Sequence, residues 1–327
     1  RLRLVLAYML YAVLLNTIGV VLLHSLSGFG ISKSEGALLP LFKSGASICM
    51  SLVAPTLVLG LGSARALAAA LAIVGVVCAL VWALPSFEML KVFYLLVGAT
   101  FAVVKIAVYG EIDRISGDRR THVALTNFLE GCFMGGVVVA IWALSLVVDA
   151  GRDWIGFLGW LALAATLLAA SWMAATGADR DAPVLLRARA SWKTDMVVIA
   201  GLLGRRRLCA YLAAIFLYVL IEQSLVVWLP VYSNDVLGLR LGDSIQSGAL
   251  LFACLAVGRL LGAPMIARRR WFGTLAGLLT AACGLMTLAL LPPRPIGLAD
   301  GLGPGTLSSW LIPMTGLLLA PVYPTLN

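Results

Sequence analysis

Long apolar segments alternate with short polar breaks along all 327 residues, and none shows the every-second-residue alternation of a half-buried strand. Apolar runs of eighteen or more residues have the length of a membrane-crossing helix. In lipid every backbone polar group must be satisfied internally, which leaves helices or closed barrels. The continuous runs predict an all-α integral membrane protein with about ten helices. They are expected at residues 4–25, 32–60, 66–84, 86–109, 121–148, 154–175, 208–232, 244–266, 272–291 and from 307 onward, and are numbered 1 to 10 here. Local signals set several starts. Ser32-x-x-Glu35 reads as a capping box opening helix 2, Ser86 after Pro85 as the N-cap of helix 4, and Asp243 as the cap of helix 8. A very short turn holding Arg65 leads into helix 3, and a polar turn over residues 110–121 joins helices 4 and 5.

The breaks differ in kind. Residues 176–207 form a long basic linker with Arg187, Arg189, Lys193 and Arg205 to Arg207, in which Trp192, Met196 and Val197 could anchor a short surface helix. The expected organisation is an N-terminal six-helix bundle (1–175), a cytoplasmic linker (176–207) and an incomplete C-terminal bundle (208–327). If the two halves are repeats, roughly 55 residues and two helices are missing from the second. The chain begins at Arg1 rather than Met and ends within helix 10, so truncation is expected at both ends.

Composition strengthens the membrane reading. Hydrophobic residues make up 61% and charged residues 12%, with mean hydropathy +1.02. Soluble domains run at about 45–50% and about 25%. The net charge of +9 raises the question of nucleic acid, but its placement answers it. Of the 24 Lys and Arg, sixteen fall in segments assigned to the cytoplasm, five on the opposite side and three within helices. That is the positive-inside pattern, with a cytoplasmic N-terminus. No nucleic-acid partner is expected. The six cysteines lie in apolar runs without C-x-x-C spacing, and His24 and His122 sit apart at helix ends, so neither a metal nor a cofactor is expected. The same scatter leaves no nucleophile–base pair for an enzyme. No P-loop is present to power transport by ATP.

Ionisable residues inside apolar helices are costly and by default functional. Helix 2 carries Lys43, about 12 Å from its outer end, with Ser44, Ser47 and Ser51 making a polar stripe. Helix 4 carries Lys105, which shares a face with Tyr94, Gly98, Phe101 and Tyr109 at helical spacing and either holds a ligand in a solvated cavity or snorkels to the inner interface. Helix 5 carries Glu130, about 14 Å from its inner end, beside Asn127. Lys43 and Glu130 are expected at similar heights, with Lys105 somewhat lower. The three form either a substrate-binding cluster or a structural salt bridge between helices. Helix 7 adds Glu222, a proton-coupling candidate with Glu130, and Tyr218 one turn before it. Arg259 near the inner end of helix 8 suits anchoring or gating. Gly131-x-x-x-Gly135, Gly258-x-x-x-Gly262 and Gly273-x-x-x-Gly277 fit close helix packing.

Six helices, a basic central linker and a second helical set resemble the major facilitator superfamily. Tyr11-Ala-Val-Leu-Leu-Asn-Thr-Ile-Gly19, Asn127-Phe-Leu-Glu-Gly-Cys-Phe-Met-Gly135, Trp228-Leu-Pro-Val-Tyr232 and Pro321-Val-Tyr-Pro-Thr325 resemble its sugar-transporter-like, fucose-permease-related branch. The resemblance implies alternating access by two bundles around a midplane site, with helices 1, 4, 7 and 10 lining the cavity. Two departures stand out. The superfamily's loop after helix 2 carries an aspartate, whereas Gly60-Leu-Gly-Ser-Ala-Arg65 has none and leaves the gating role to Arg65. The branch also places proton-linked acids in helices 1 and 4, where this chain has Asn16 and Lys105, so proton coupling does not carry over from it.

The expected function is secondary active transport of a small polar solute: a sugar, a sugar acid or another organic anion. Candidate substrate contacts are Lys43, Lys105, Glu130, Asn16, Asn127, Phe101, Tyr109 and Tyr218. The partners expected are the solute, the bilayer and coupling protons, with the protein a monomer in the inner (plasma) membrane. A multidrug or metabolite exporter is the alternative within the same class, predicting a larger aromatic pocket. A non-transporting membrane sensor or assembly protein is the alternative outside it.

Overall fold

A computed structural model describes residues 2–117, 119–151, 153–178, 205–267, 271–290 and 306–320. Every element among them is an α-helix: α1 Leu2–Asn16, α2 Ile18–Gly28, α3 Lys33–Gly36, α4 Leu38–Leu61, α5 Ser63–Ala83, α6 Phe87–Ile115, α7 Arg119–Asp149, α8 Ile155–Ala178, α9 Arg206–Asp235, α10 Leu241–Ala267, α11 Trp271–Leu290 and α12 Thr306–Leu319. Helix 1 of the sequence reading is α1 and α2, interrupted at Thr17, and helix 2 is α3 and α4. Helices 3 to 10 are α5 to α12 in order. Eight spans among the described residues are long and apolar enough to cross a membrane, and two shorter apolar stretches lie in α11 and α12.

Polar residues place the starts. The Ser32 hydroxyl accepts the Glu35 backbone N–H at 3.2 Å, and the Glu35 carboxylate accepts the Ser32 N–H at 2.8 Å, which closes the expected capping box. Ser32→Ala should therefore cost about 1 kcal/mol, read as a lower thermal midpoint in detergent. Ser86 caps α6 by accepting the Met89 N–H at 3.2 Å. Gly62 ends α4 at φ +84°, a conformation that L side chains resist.

Four local expectations are corrected. Arg65 lies in the first turn of α5 rather than in the preceding turn. The α6–α7 turn is shorter than residues 110–121, because α6 continues to Ile115 and α7 starts at Arg119. Glu111 and Arg114 pair one turn apart, with Arg114 Nη2 at 2.9 Å from Glu111 Oε2, and so extend the helix through polar sequence. Asp243 lies within the first turn of α10, not before it. The expected surface helix at Trp192, Met196 and Val197 and the Arg268–Arg270 turn lie outside the described residues.

The chain divides into two compact units, α1–α8 and α9–α12, with residues 141–145 of α7 assigned to the second. In the first, α4 packs most extensively on α6 and α5 on α8, and α1 lies against α6 and α8. In the second, α12 packs on α10 and α11. Glycines set the closest approaches. A Cβ at Gly98 would overlap the Lys43 carbonyl oxygen and stand 2.8 Å from its carbon, so α4 and α6 touch backbone to backbone. In the second unit, a Cβ at Gly258 would overlap the Leu317 carbonyl oxygen. The glycine-spaced motifs are corrected accordingly. Gly131, Gly135, Gly273 and Gly277 face open space, and Gly258 is the member among the described residues that meets a neighbouring backbone.

Candidate functional site

Glu130, on α7, is held from two other helices. Its Oε1 accepts the Tyr8 hydroxyl of α1 at 2.8 Å and the Tyr109 hydroxyl of α6 at 3.0 Å. Hydrogen bonds to a charged acceptor contribute roughly 1.5–3 kcal/mol each, enough to fix the carboxylate in one orientation. Both bonds land on the same oxygen. No hydrogen bond among the described residues reaches Oε2, and the side chain is half-buried.

Rings enclose this group. Phe133, three residues after Glu130 on α7, lies 4.9 Å from the Tyr8 ring and 6.5 Å from Phe101. Phe101 stacks on Tyr11 at 6.2 Å, and the Tyr11 hydroxyl donates to the Ala70 carbonyl of α5 at 3.1 Å. These separations suit offset or tilted aromatic pairs. The result is an apolar wall around one fixed carboxylate.

Lys105 lies between Phe101 and Tyr109 along α6. At 100° per residue it shares a side of the helix with Phe101, Val108, Tyr109 and Ile112. Val108 and Ile112 are buried, and Phe101 and Tyr109 half-buried, yet Lys105 is exposed. The opposite side carries exposed Val92 and half-buried Val103, and also buried Thr100 and Ala107. Lys105 is thus an exposed ammonium between half-buried Phe101 and Tyr109. It makes no ion pair among the described residues.

Lys43 sits elsewhere. It is buried, its Nζ donates to the Leu15 carbonyl at 3.2 Å beside the interruption at Thr17, and its backbone abuts Gly98. Leu15 and Tyr8 mark the Lys43 and Glu130 levels on α1, seven residues apart, or about 10 Å along the axis. The expectation of similar heights is thus corrected. Neither lysine pairs with Glu130, so a salt bridge joining the three charges is not formed among the described residues. Depth counted from helix ends misses this because it takes no account of how neighbouring helices cross.

The remaining candidates are dispersed. Asn16 is half-buried and donates back to the Ala12 carbonyl of its own helix at 2.8 Å. Tyr94, on the expected aromatic face of α6, is fully buried against Phe93. Tyr218 packs with Ala282 and Leu319 inside the second unit, and Glu222 is half-buried one turn on. Arg65 is exposed. The side chains of Asn127 and Arg259 lie outside the described residues. Tyr8, Tyr11 and Phe133 join the candidate site and were not among the residues expected from the sequence. Two tyrosines three apart on an apolar helix, and an aromatic one turn from a buried acid, were the available signals.

Apolar spans bundled around a half-buried carboxylate define a polytopic membrane protein with a polar site inside its first unit. Residues 4–327 match the Major Facilitator Superfamily, and the chain belongs to it. That membership makes it a multi-pass membrane transporter rather than an enzyme. The fold is similar to that of the nucleoside transporter NupG, with TM-score 0.70 and 13% identity over 98% of this chain and 79% of that one. It is equally similar to a bacterial homologue of the human lysosomal transporter Spinster, at TM-score 0.70 and 16% identity, covering 98% and 72%. The xylose transporter XylE from E. coli gives TM-score 0.64 and 12% identity, covering 98% and 82%. No curated protein matches the chain in sequence.

Proposed function

We propose that the protein is a secondary active transporter that moves a small polar solute, of the sugar, sugar acid or organic anion type, by alternating access. The observation that carries this reading is the Glu130 carboxylate, held by Tyr8 and Tyr109 on one oxygen, with no hydrogen bond to the other among the described residues and rings around it. A carboxylate oxygen accepts ligand hydroxyls, and flanking rings cover the C–H face of a sugar-like ring. Because the two phenols come from α1 and α6, the same carboxylate also joins three helices, so a ligand or proton arriving there acts on all three.

Several further roles belong to this reading. Glu130 and Glu222 are the proton-coupling candidates, and Arg65 and Arg259 the gating ones. Lys43 supports α1 at Leu15 rather than touching solute. Asn16, Asn127 and Tyr218 are candidate contacts for other stages of the cycle. The chain is organised as residues 1–175, a cytoplasmic linker at 176–207, and 208–327. The protein acts as a monomer, and the distribution of its basic residues supports a place in the plasma (inner) membrane with the N-terminus inside. The ring cluster lends some support to an exporter of aromatic compounds, which would tolerate loss of the Glu130 charge.

Tyr8→Phe and Tyr109→Phe test the reading. Each removes one charge-assisted bond and keeps the ring, so each should weaken solute binding about 10-fold or more, with the double variant weaker still. Binding equal to wild type in the double variant, measured by titration calorimetry, would remove the clamp from the site.

A further inference from the structure

We infer that the ligand of the Glu130 site is a hydroxylated organic anion, such as a sugar acid, whose acid group is bound by Lys105 and whose hydroxyls are bound by Glu130. This rests on the transport reading above and narrows its substrate class. It is carried by the placement of two opposite charges that do not neutralise each other. Glu130 takes its hydrogen bonds from neutral phenols rather than from an ammonium. Lys105 stands one helical turn from Tyr109 and one from Phe101, both half-buried, and is itself exposed and without an ion pair among the described residues.

An ammonium inside a membrane-spanning helix is kept only where water or a counter-charge meets it. Lys105 lies ten residues before the end of α6 at Ile115, about 15 Å along the helix. The protein's own acid near this level is already clamped by two tyrosines, so once a solute displaces water from Lys105 the counter-charge has to come with the solute. A ligand carboxylate or phosphate meets the need with a charge-assisted bond. The same lysine disfavours a cationic ligand, and a neutral sugar leaves its charge unanswered. Lys105 and Tyr109 are four residues apart, about 6 Å along the axis, so one sugar-sized molecule spans both ends. Phe101 lies between the levels of Tyr11 and Phe133 and offers a ring face to the ligand's carbon skeleton.

The test is calorimetric titration of the purified full chain with gluconate, glucuronate, glucose, xylose and uridine. It is repeated on Lys105→Gln, Lys105→Arg and Glu130→Gln, each first checked for an unchanged thermal midpoint. The expected result is that a hydroxy acid binds at least 10-fold more tightly than the neutral solutes. Lys105→Gln should weaken the acid 10- to 100-fold, Lys105→Arg should recover most of that loss, and Glu130→Gln should weaken it as well. If glucose, xylose or uridine binds as tightly as the acids, in a Glu130-dependent way and without response to Lys105→Gln, the anion assignment is overturned and the transport reading stands. If no probe binds and none is taken up by vesicles, both are overturned.

Discussion

Gly98→Ala should cost the first unit about 3 kcal/mol or more, seen as a large fall in thermal midpoint and poor recovery of folded protein. The added methyl would overlap the Lys43 carbonyl oxygen and stand 3.0 Å from its Cα. Backbone atoms cannot rotate away as a side chain can, so relief requires α4 and α6 to separate along the most extensive helix contact of the unit. That separation would also pull Lys43 from Leu15 and leave a buried charge under-satisfied. Gly45→Ala, on the same α4 but with no atom within 4 Å of its Cβ, is the matched control. It should be neutral, or stabilising by up to about 1 kcal/mol through helix propensity. Equal midpoints for the two variants would show that the α4–α6 approach is not close.

The second large effect belongs to Glu130→Gln. Glutamine keeps the shape and a carbonyl oxygen that can accept the Tyr8 and Tyr109 hydroxyls, so the α1–α6–α7 joint should survive and the protein should insert normally. What is lost is the negative charge. Ligand hydroxyls then meet a neutral amide, and no carboxylate remains to take up or release a proton. Binding should fall 10- to 100-fold, in line with about 1.5–3 kcal/mol for a charged hydrogen bond, and concentrative accumulation in cells should disappear. Normal accumulation by this variant, at equal membrane abundance, would take Glu130 out of the mechanism.

Most of the fold was legible because membrane helices announce themselves by length and continuous apolarity, and because the Ser32–Glu35 and Ser86 caps are local devices. Polarity alone does not make a turn. Glu111 and Arg114 look like loop residues, yet one turn apart on a helix they pair and prolong it. The candidate cluster was half legible. Glu130, Tyr109, Phe101 and Lys105 follow from charge and spacing on two helices. Tyr8 does not, since its partner lies 122 residues away and only the crossing of α1 and α7 brings them together. Depth counted from helix ends puts Lys43 level with Glu130 because it takes no account of how neighbouring helices cross. Contact with Gly98 and Leu15 places it at a different level.

The most direct test of the central claim is solute counterflow in proteoliposomes holding the purified full chain, preloaded with unlabelled hydroxy acid and presented with labelled acid outside. Wild-type protein should concentrate the label transiently through alternating access of one bound site, and Glu130→Gln should abolish the overshoot. Equal overshoot in both would contradict the assignment of the Tyr8–Glu130–Tyr109 cluster as the solute site. Absence of counterflow by the wild type with the acids and with neutral sugars and nucleosides would contradict transport of a small polar solute altogether.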